Sequence, residues 1–99
     1  MSQSLLTVVA ELFAKPGKEE EVKAHLLHNV EATRLEEGCV QYDLHVCEGE
    51  PGHFLFVENW TSEEALYNHS QSAHIQGFRA IAGDLLAQPT RLVKARRIA

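Results

Sequence analysis

The stretch from Phe54 to Phe78 gathers most of the side chains in this sequence that could do chemistry: Glu58, Asn59 and Trp60 in succession, then His69 and His74. Glu58 shares strand parity with Phe54, Phe56 and Trp60. A carboxylate on that side must be paired, hydrogen-bonded or near water, because an unpaired buried charge is costly. It reads either as half of a salt bridge to Arg79 or Arg91, or as a cleft acid that orients a substrate hydroxyl or a histidine. Trp60, the only tryptophan, reads as a core plug between sheet and helix or as a cleft wall whose ring stacks on a planar ligand. His69 falls on the buried side of a helix with Leu66, and His74 falls at a helix break, where a cleft can open. Imidazoles that titrate near neutrality suit removal of a proton from an acidic phenol or enol.

Other chemistries find little support. His25 and His28 stand three apart on a helix, close enough to share an ion, but no carboxylate or thiol completes the set, so no metal site is expected. Cys39 and Cys47 lack C-x-x-C spacing, and on one strand they would lie about 26 Å apart, beyond disulfide reach. They read as reduced thiols of a cytoplasmic protein. Phosphate-cradle, dinucleotide, serine-hydrolase and zincin motifs are missing from the sequence. A net charge of −5 disfavours nucleic acid and anionic membranes as partners. No apolar run approaches the roughly 20 residues that span a bilayer, and Met1 to Ser4 does not resemble a signal peptide.

The elements that must position these residues follow from periodicity. With 99 residues, 44% of them hydrophobic, the chain suits one domain over 1–99 with one modest core. Leu5 to Phe13 reads as a strand broken by Lys15-Pro16-Gly17. A helix follows, opened by Glu19, Glu20 and Glu21 at its positive end, carrying Val22, Leu26, Leu27, Val30 and Thr33 as its apolar stripe, with Gly38 as its C-terminal cap. Cys39 to Cys47 alternates, with Val40, Tyr42, Leu44 and Val46 on one side. A turn at 48–52 leads into a third strand, His53 to Trp60. Thr61 and Glu64 form a capping box for a second helix that is interrupted at Ser72 to His74 and resumes with Ile75, Phe78, Ile81, Ala82 and Leu85. After Pro89 a last strand runs from Arg91 to Ile98.

The order is β-α-β-β-α-β, an α+β, ferredoxin-like unit with a four-stranded antiparallel sheet. Strands 1 and 3 are apolar at both parities and belong in the centre, while strand 2 is apolar at one parity, as an outer strand should be. Helices can cover only one face of such a sheet. The other apolar face needs a second cover, and sheet-to-sheet homodimerisation supplies it.

Three segments resemble the antibiotic biosynthesis monooxygenase (ABM) family, a quinol-monooxygenase-like branch of the dimeric α+β barrel proteins. They are Lys15-Pro16-Gly17-Lys18, the run from Glu37 to Leu44, and the run from Phe56 to Leu66 followed by His69 and Ala73-His74. The resemblance implies a dimeric α+β barrel with a cleft in each subunit, and oxygenation of a small aromatic or quinol-type substrate without flavin, haem or metal. It implies His69 or His74 as base and proton relay, Trp60, Tyr42 and Phe78 as ring contacts, and Glu58 and Asn59 as orienting groups. Haem-degrading relatives carry an asparagine on the first strand where this chain has Ala10, so a haem cofactor is not expected. Relatives that process phosphorylated autoinducer-2, and non-catalytic ligand-binding or stress-response modules, share the fold and remain alternatives.

Overall fold

The structure is a computed structural model and describes residues 4–99. The elements run β1 (Leu6–Phe13), α1 (Glu19–Thr33), β2 (Cys39–Val46), β3 (His53–Trp60), α2 (Glu63–Ser70), α3 (Ala73–Leu85) and β4 (Arg91–Arg96). All strand pairs are antiparallel and the sheet order is β2-β3-β1-β4, so the two strands that are apolar at both parities are the central ones. This is the ferredoxin-like α+β fold expected from the element order.

Burial alternates along both central strands. Leu6, Val8, Ala10 and Leu12 of β1 and Phe54, Phe56, Glu58 and Trp60 of β3 are buried, and their neighbours are half-buried. The buried set joins Val22, Leu26 and Val30 of α1, Ala65 of α2 and Leu85 of α3 in one core, so the helices cover this face of the sheet. No helix among the described residues is long and apolar enough to cross a membrane.

The opposite face carries Val9, Leu55 and Val57, together with two polar chains. In one, Thr7 Oγ1 donates to Asn59 Oδ1 at 2.6 Å, Asn59 Nδ2 donates to Gln41 Oε1, Gln41 Nε2 donates to Asp43 Oδ2 at 2.8 Å, and Arg34 Nη2 closes on Asp43 Oδ1 at 3.0 Å. In the other, His53 lies 2.8 Å from Glu11 and 3.2 Å from Glu50 and stacks on Phe13.

Several local expectations need correction. A β-bulge between Cys39 and Gln41 shifts the register, so Val40 is exposed while Cys39 packs against the core. Ser62, not Thr61, caps α2: its hydroxyl accepts from the Ala65 N–H at 3.0 Å, while the Thr61 N–H is taken by the Gly38 carbonyl. α1 ends at Thr33, so Gly38 is not its cap but the turn into β2. Gly38 has φ +85°, and a Cβ there would collide with Ala65 Cβ and Thr61 Oγ1, so both the backbone angle and the close approach of α2 require glycine.

Candidate active site

The helices do not cover the sheet evenly. α1 lies toward β2, while α2 and α3 leave an opening over β1 and β4. There a cleft of about 570 Å³ is walled by Ala10 and Leu12 of β1, Leu92 of β4, Leu66 and Tyr67 of α2, and Ile75 and Phe78 of α3. Its polar lining comprises Asn29, Tyr42, Glu58 and His69, with Glu63, Ser70, Arg79, Thr90 and Lys94 also contributing. The Lys94 ammonium lies 3.2 Å from Glu63 Oε2 and ties β4 to the first turn of α2. A recess that combines apolar walls with convergent polar groups is the usual form of a small-molecule site.

Burial gives His69, on the last turn of α2, its chemistry. Its Nδ1 lies 3.0 Å from Glu36 Oε2 and 3.2 Å from Oε1, and its ring packs against Trp60 and Tyr42 at centroid distances of 4.7 and 5.3 Å. A carboxylate only accepts, so Nδ1 carries the proton and the lone pair of the neutral ring sits on Nε2. Burial pushes the His69 pKa below its ordinary value, and the Glu36 carboxylate offsets part of that drop. The imidazole is therefore neutral at pH 7, with a basic nitrogen beside the cleft.

Glu36 also binds His74, whose Nε2 lies 2.8 Å from Glu36 Oε2, 3.0 Å from Thr33 Oγ1 and 3.3 Å from Ser72 Oγ. The two histidines thus share one carboxylate, but His74 does not line the cleft and reaches it only through Glu36 and His69. One oxygen and two imidazole nitrogens within 4.8 Å of one another could also ligate a divalent cation, a cluster missed by the sequence reading, which weighed only the His25 and His28 pair and set it aside. His69 Nδ1 hydrogen-bonds Glu36, and His74 Nε2 hydrogen-bonds Thr33 and Ser72 while lying within ion-pair distance of Glu36. These contacts account for the same geometry without an ion.

Glu58 is 3% exposed and makes no ion pair among the described residues. Arg91 turns instead toward Glu11 at 3.9 Å, and Arg79 Nη1 donates to the Ser70 carbonyl at 3.1 Å. The carboxyl accepts from Trp60 Nε1 at 2.9 Å. Burial pushes its pKa up to about 7, the indole N–H pulls it partly back, and the charge of Glu36 raises it further. Tyr42 is buried as well, and desolvation followed by the Glu58 charge holds its phenol protonated well above the ordinary range.

Of the residues picked out in the sequence, Glu58, Tyr42, His69 and Phe78 come together in one cleft. Trp60 does not serve as a ring contact: it is 0% exposed, leaves no face for a ligand, and acts as the plug that supports His69 and binds Glu58. Asn59 does not face the cleft either, because its register opposite Thr7 turns it to the other side of the sheet. Sequence reasoning missed Glu36, which lies in a turn where no periodicity flags it. It also missed Asn29, whose spacing with Val22, Leu26 and Thr33 does mark it as inward-facing.

The fold and this cleft define an α+β protein with a small-molecule cleft beside a buried histidine–carboxylate pair. Residues 5–81 match the family model described as antibiotic biosynthesis monooxygenase, and the chain belongs to that family. It is 37% identical over 90 residues to the Bacillus subtilis protein named "Putative monooxygenase YcnE", covering 91% of this chain and 95% of that one. Among solved structures, PA3566 from Pseudomonas aeruginosa superposes with a TM-score of 0.94 at 31% identity, covering 100% of this chain and 99% of that one. Rv0793 from Mycobacterium tuberculosis superposes with a TM-score of 0.90 at 29% identity, over 97% of each chain.

Proposed function

We propose that the cleft oxidises a small aromatic or quinol-type substrate with dioxygen, without flavin, haem or metal. The observation that carries this reading is the Glu36–His69 pair: Glu36 fixes the Nδ1–H tautomer, leaving a neutral, basic Nε2 beside an apolar cleft. His69 removes the acidic proton of the bound phenol or enol. The resulting anion is electron-rich enough to reduce dioxygen directly. One oxygen atom enters the substrate carbon as a carbonyl, while the deprotonated hydroxyl becomes a second carbonyl. The other oxygen atom leaves as water, with the hydrogen that the oxidised carbon loses and the proton His69 took up. The substrate is thus its own reductant.

The protein's work is positioning and electrostatics. Leu66, Ile75, Phe78 and Leu92 exclude water and hold a planar ring. Glu58, titrating near 7, is neutral often enough to sit beside an anion without repelling it. His74 acts through Glu36, as a positioning residue and a proton relay. The family names carried by the relatives support this class of reaction.

Oxygen uptake with a reduced anthrone or quinol, in protein stripped of metal and flavin, tests the proposal. His69→Ala should abolish uptake, and Glu36→Gln should reduce it strongly. Unchanged rates in both variants would overturn the assignment of the base. A homodimer joined through the face bearing Val9, Leu55 and Val57 completes the proposal, since that face is half-apolar and the helices lie on the other side.

A second reading is favoured by one observation: Arg79 and Lys94 both line the cleft, as recognition of a phosphorylated, autoinducer-2-type ketone requires. Lys94 is already paired with Glu63, which leaves Arg79 as the cation with no carboxylate partner among the described residues. Turnover of a phosphorylated ketone in the absence of oxygen, lost in Arg79→Gln, would select that reading.

A further inference from the structure

Four polar or charged residues are buried among the described residues: Asn29, Thr33, Glu58 and His69. Three have their partners. Thr33 Oγ1 lies 3.0 Å from His74, Glu58 takes the Trp60 N–H, and His69 is held by Glu36. Asn29 is the exception. It is 4% exposed, and its carboxamide has no hydrogen-bond partner among the described residues. Every side-chain nitrogen or oxygen that is fully occluded does have a partner, so the Asn29 amide keeps its remaining exposure to open space. Asn29 lines the cleft, and that is the space it meets.

Neither packing nor helix formation explains an asparagine there. The position lies in the middle of α1, on the inward stripe with Val22, Leu26 and Thr33, where leucine would favour the helix and bury more apolar surface. A polar group kept at a cost in stability, in the same cleft as the proposed base, is a group waiting for a ligand. Its chemistry is specific. The carboxamide offers two N–H donors and is neutral, so it can bind an oxygen that becomes negative without losing charge of its own. The nearby carboxyl, Glu58, becomes repulsive when ionised.

We propose that Asn29 is a substrate-binding residue whose Nδ2–H groups donate to the ionised oxygen of a phenol, quinol or enol, holding as an oxyanion the atom that His69 deprotonates. This rests on the reading of the cleft as a proton-abstracting site, but it makes a claim about binding that does not depend on oxygen chemistry.

The test uses 4-nitrophenol, which is not turned over by the proposed oxidation and whose phenolate is visible by absorbance. Titrated spectrophotometrically with the full chain, the phenol bound to wild type should ionise at a lower pH than in free solution. Asn29→Leu should weaken phenolate binding about tenfold and move the bound phenol's titration upward, while raising the melting temperature of the ligand-free protein. Asn29→Asp keeps the shape but replaces donors by an acceptor, and it should lose phenolate binding more completely. The proposal is overturned if wild type does not bind 4-nitrophenol, or if either folded variant binds the phenolate as tightly as wild type with an unmoved titration. Failure of oxygen uptake with anthrones, alongside intact Asn29-dependent phenolate binding, would instead discard the oxygenase reading and keep this one.

Discussion

Replacing Glu58 by glutamine should make this protein more stable above about pH 4.5, and most of all at neutral and alkaline pH. The folded carboxyl titrates near 7 against an ordinary 4.5, because burial disfavours its charged form more than the Trp60 N–H favours it. Between those two values the folded state binds the extra proton, so wild-type stability falls as pH rises through the interval. Below about 4.5 the carboxyl is neutral in both states and the penalty vanishes; above about 7 the penalty is complete. At about 1.4 kcal/mol for each pH unit of displacement, the full penalty is roughly 3 kcal/mol. Glutamine keeps an acceptor for the indole N–H at 2.9 Å and carries no charge to bury.

The assay is urea denaturation of wild type and Glu58→Gln at fixed protein concentration, from pH 4 to pH 8.5. The two proteins should be similar near pH 4 and diverge to roughly 3 kcal/mol by pH 8, a melting difference on the order of 10 °C in a chain of this size. All other titrating groups are common to both proteins, so the difference isolates this one. Parallel stability curves would refute the reasoning and mean that the folded carboxyl is solvated. Oxygen uptake provides an independent check: the wild-type rate should decline above pH 7 as Glu58 ionises beside the substrate anion, and the variant should lack that decline.

Glu36→Gln removes the charge that partly offsets the burial of His69, so the acidic limb of the kcat/KM profile should move to lower pH while the rate falls; a limb that stays in place would separate His69 from Glu36. Gly38→Ala meets both a positive φ and the Cβ of Ala65, and should cost roughly 2–4 kcal/mol in denaturant titrations. Gly17→Ala, with φ +86° but open space around it, should cost only about 1–2 kcal/mol, and equal losses at the two sites would refute the claimed contact. Val57→Lys places a charge in the middle of the face proposed to join two copies, and should give a monomer by analytical ultracentrifugation; an unshifted mass would move the interface elsewhere.

Parity carried most of the fold. The double-sided apolarity of β1 and β3 places them at the centre, and the break before Ala73 divides the second helical region into α2 and α3. Where parity misled, an identifiable local event is responsible. The bulge after Cys39 inserts one residue, which turns Val40 outward. Asn59 was grouped with Glu58 and Trp60 because the three are adjacent, although alternation itself puts it on the opposite face. The site was legible in part. Tyr42, Glu58, His69 and Phe78 lie on regular elements whose faces the pattern fixes. Glu36 lies in a turn, and its approach to His69 is a tertiary contact between segments 33 residues apart, which no spacing rule encodes. Asn29 was legible in principle, since a polar residue at an inward helix position is a break in pattern that needs a reason.

The three buried titrating groups at the cleft are pushed in directions that suit one another. Burial lowers His69 and raises Glu58 and Tyr42, so each is driven toward its neutral form. A cleft lined by neutral groups is a poor place to bury a substrate anion unless something stabilises the negative charge as it forms. In the proposed reaction, proton transfer to His69 would do this in part, because it would create an imidazolium next to the anion, held from behind by Glu36. The charge of Glu36 would therefore be used twice in that reaction: it sets the tautomer before transfer and would stabilise the cation after it. Adding a second negative charge near the substrate should then be worse than removing a structural contact. Trp60→Phe takes away the hydrogen bond that holds the Glu58 pKa down, so Glu58 stays protonated to higher pH, and the variant should accordingly reduce oxygen uptake at pH 8 less than at pH 6. Equal losses at both pH values would mean that Glu58 does not act through its charge.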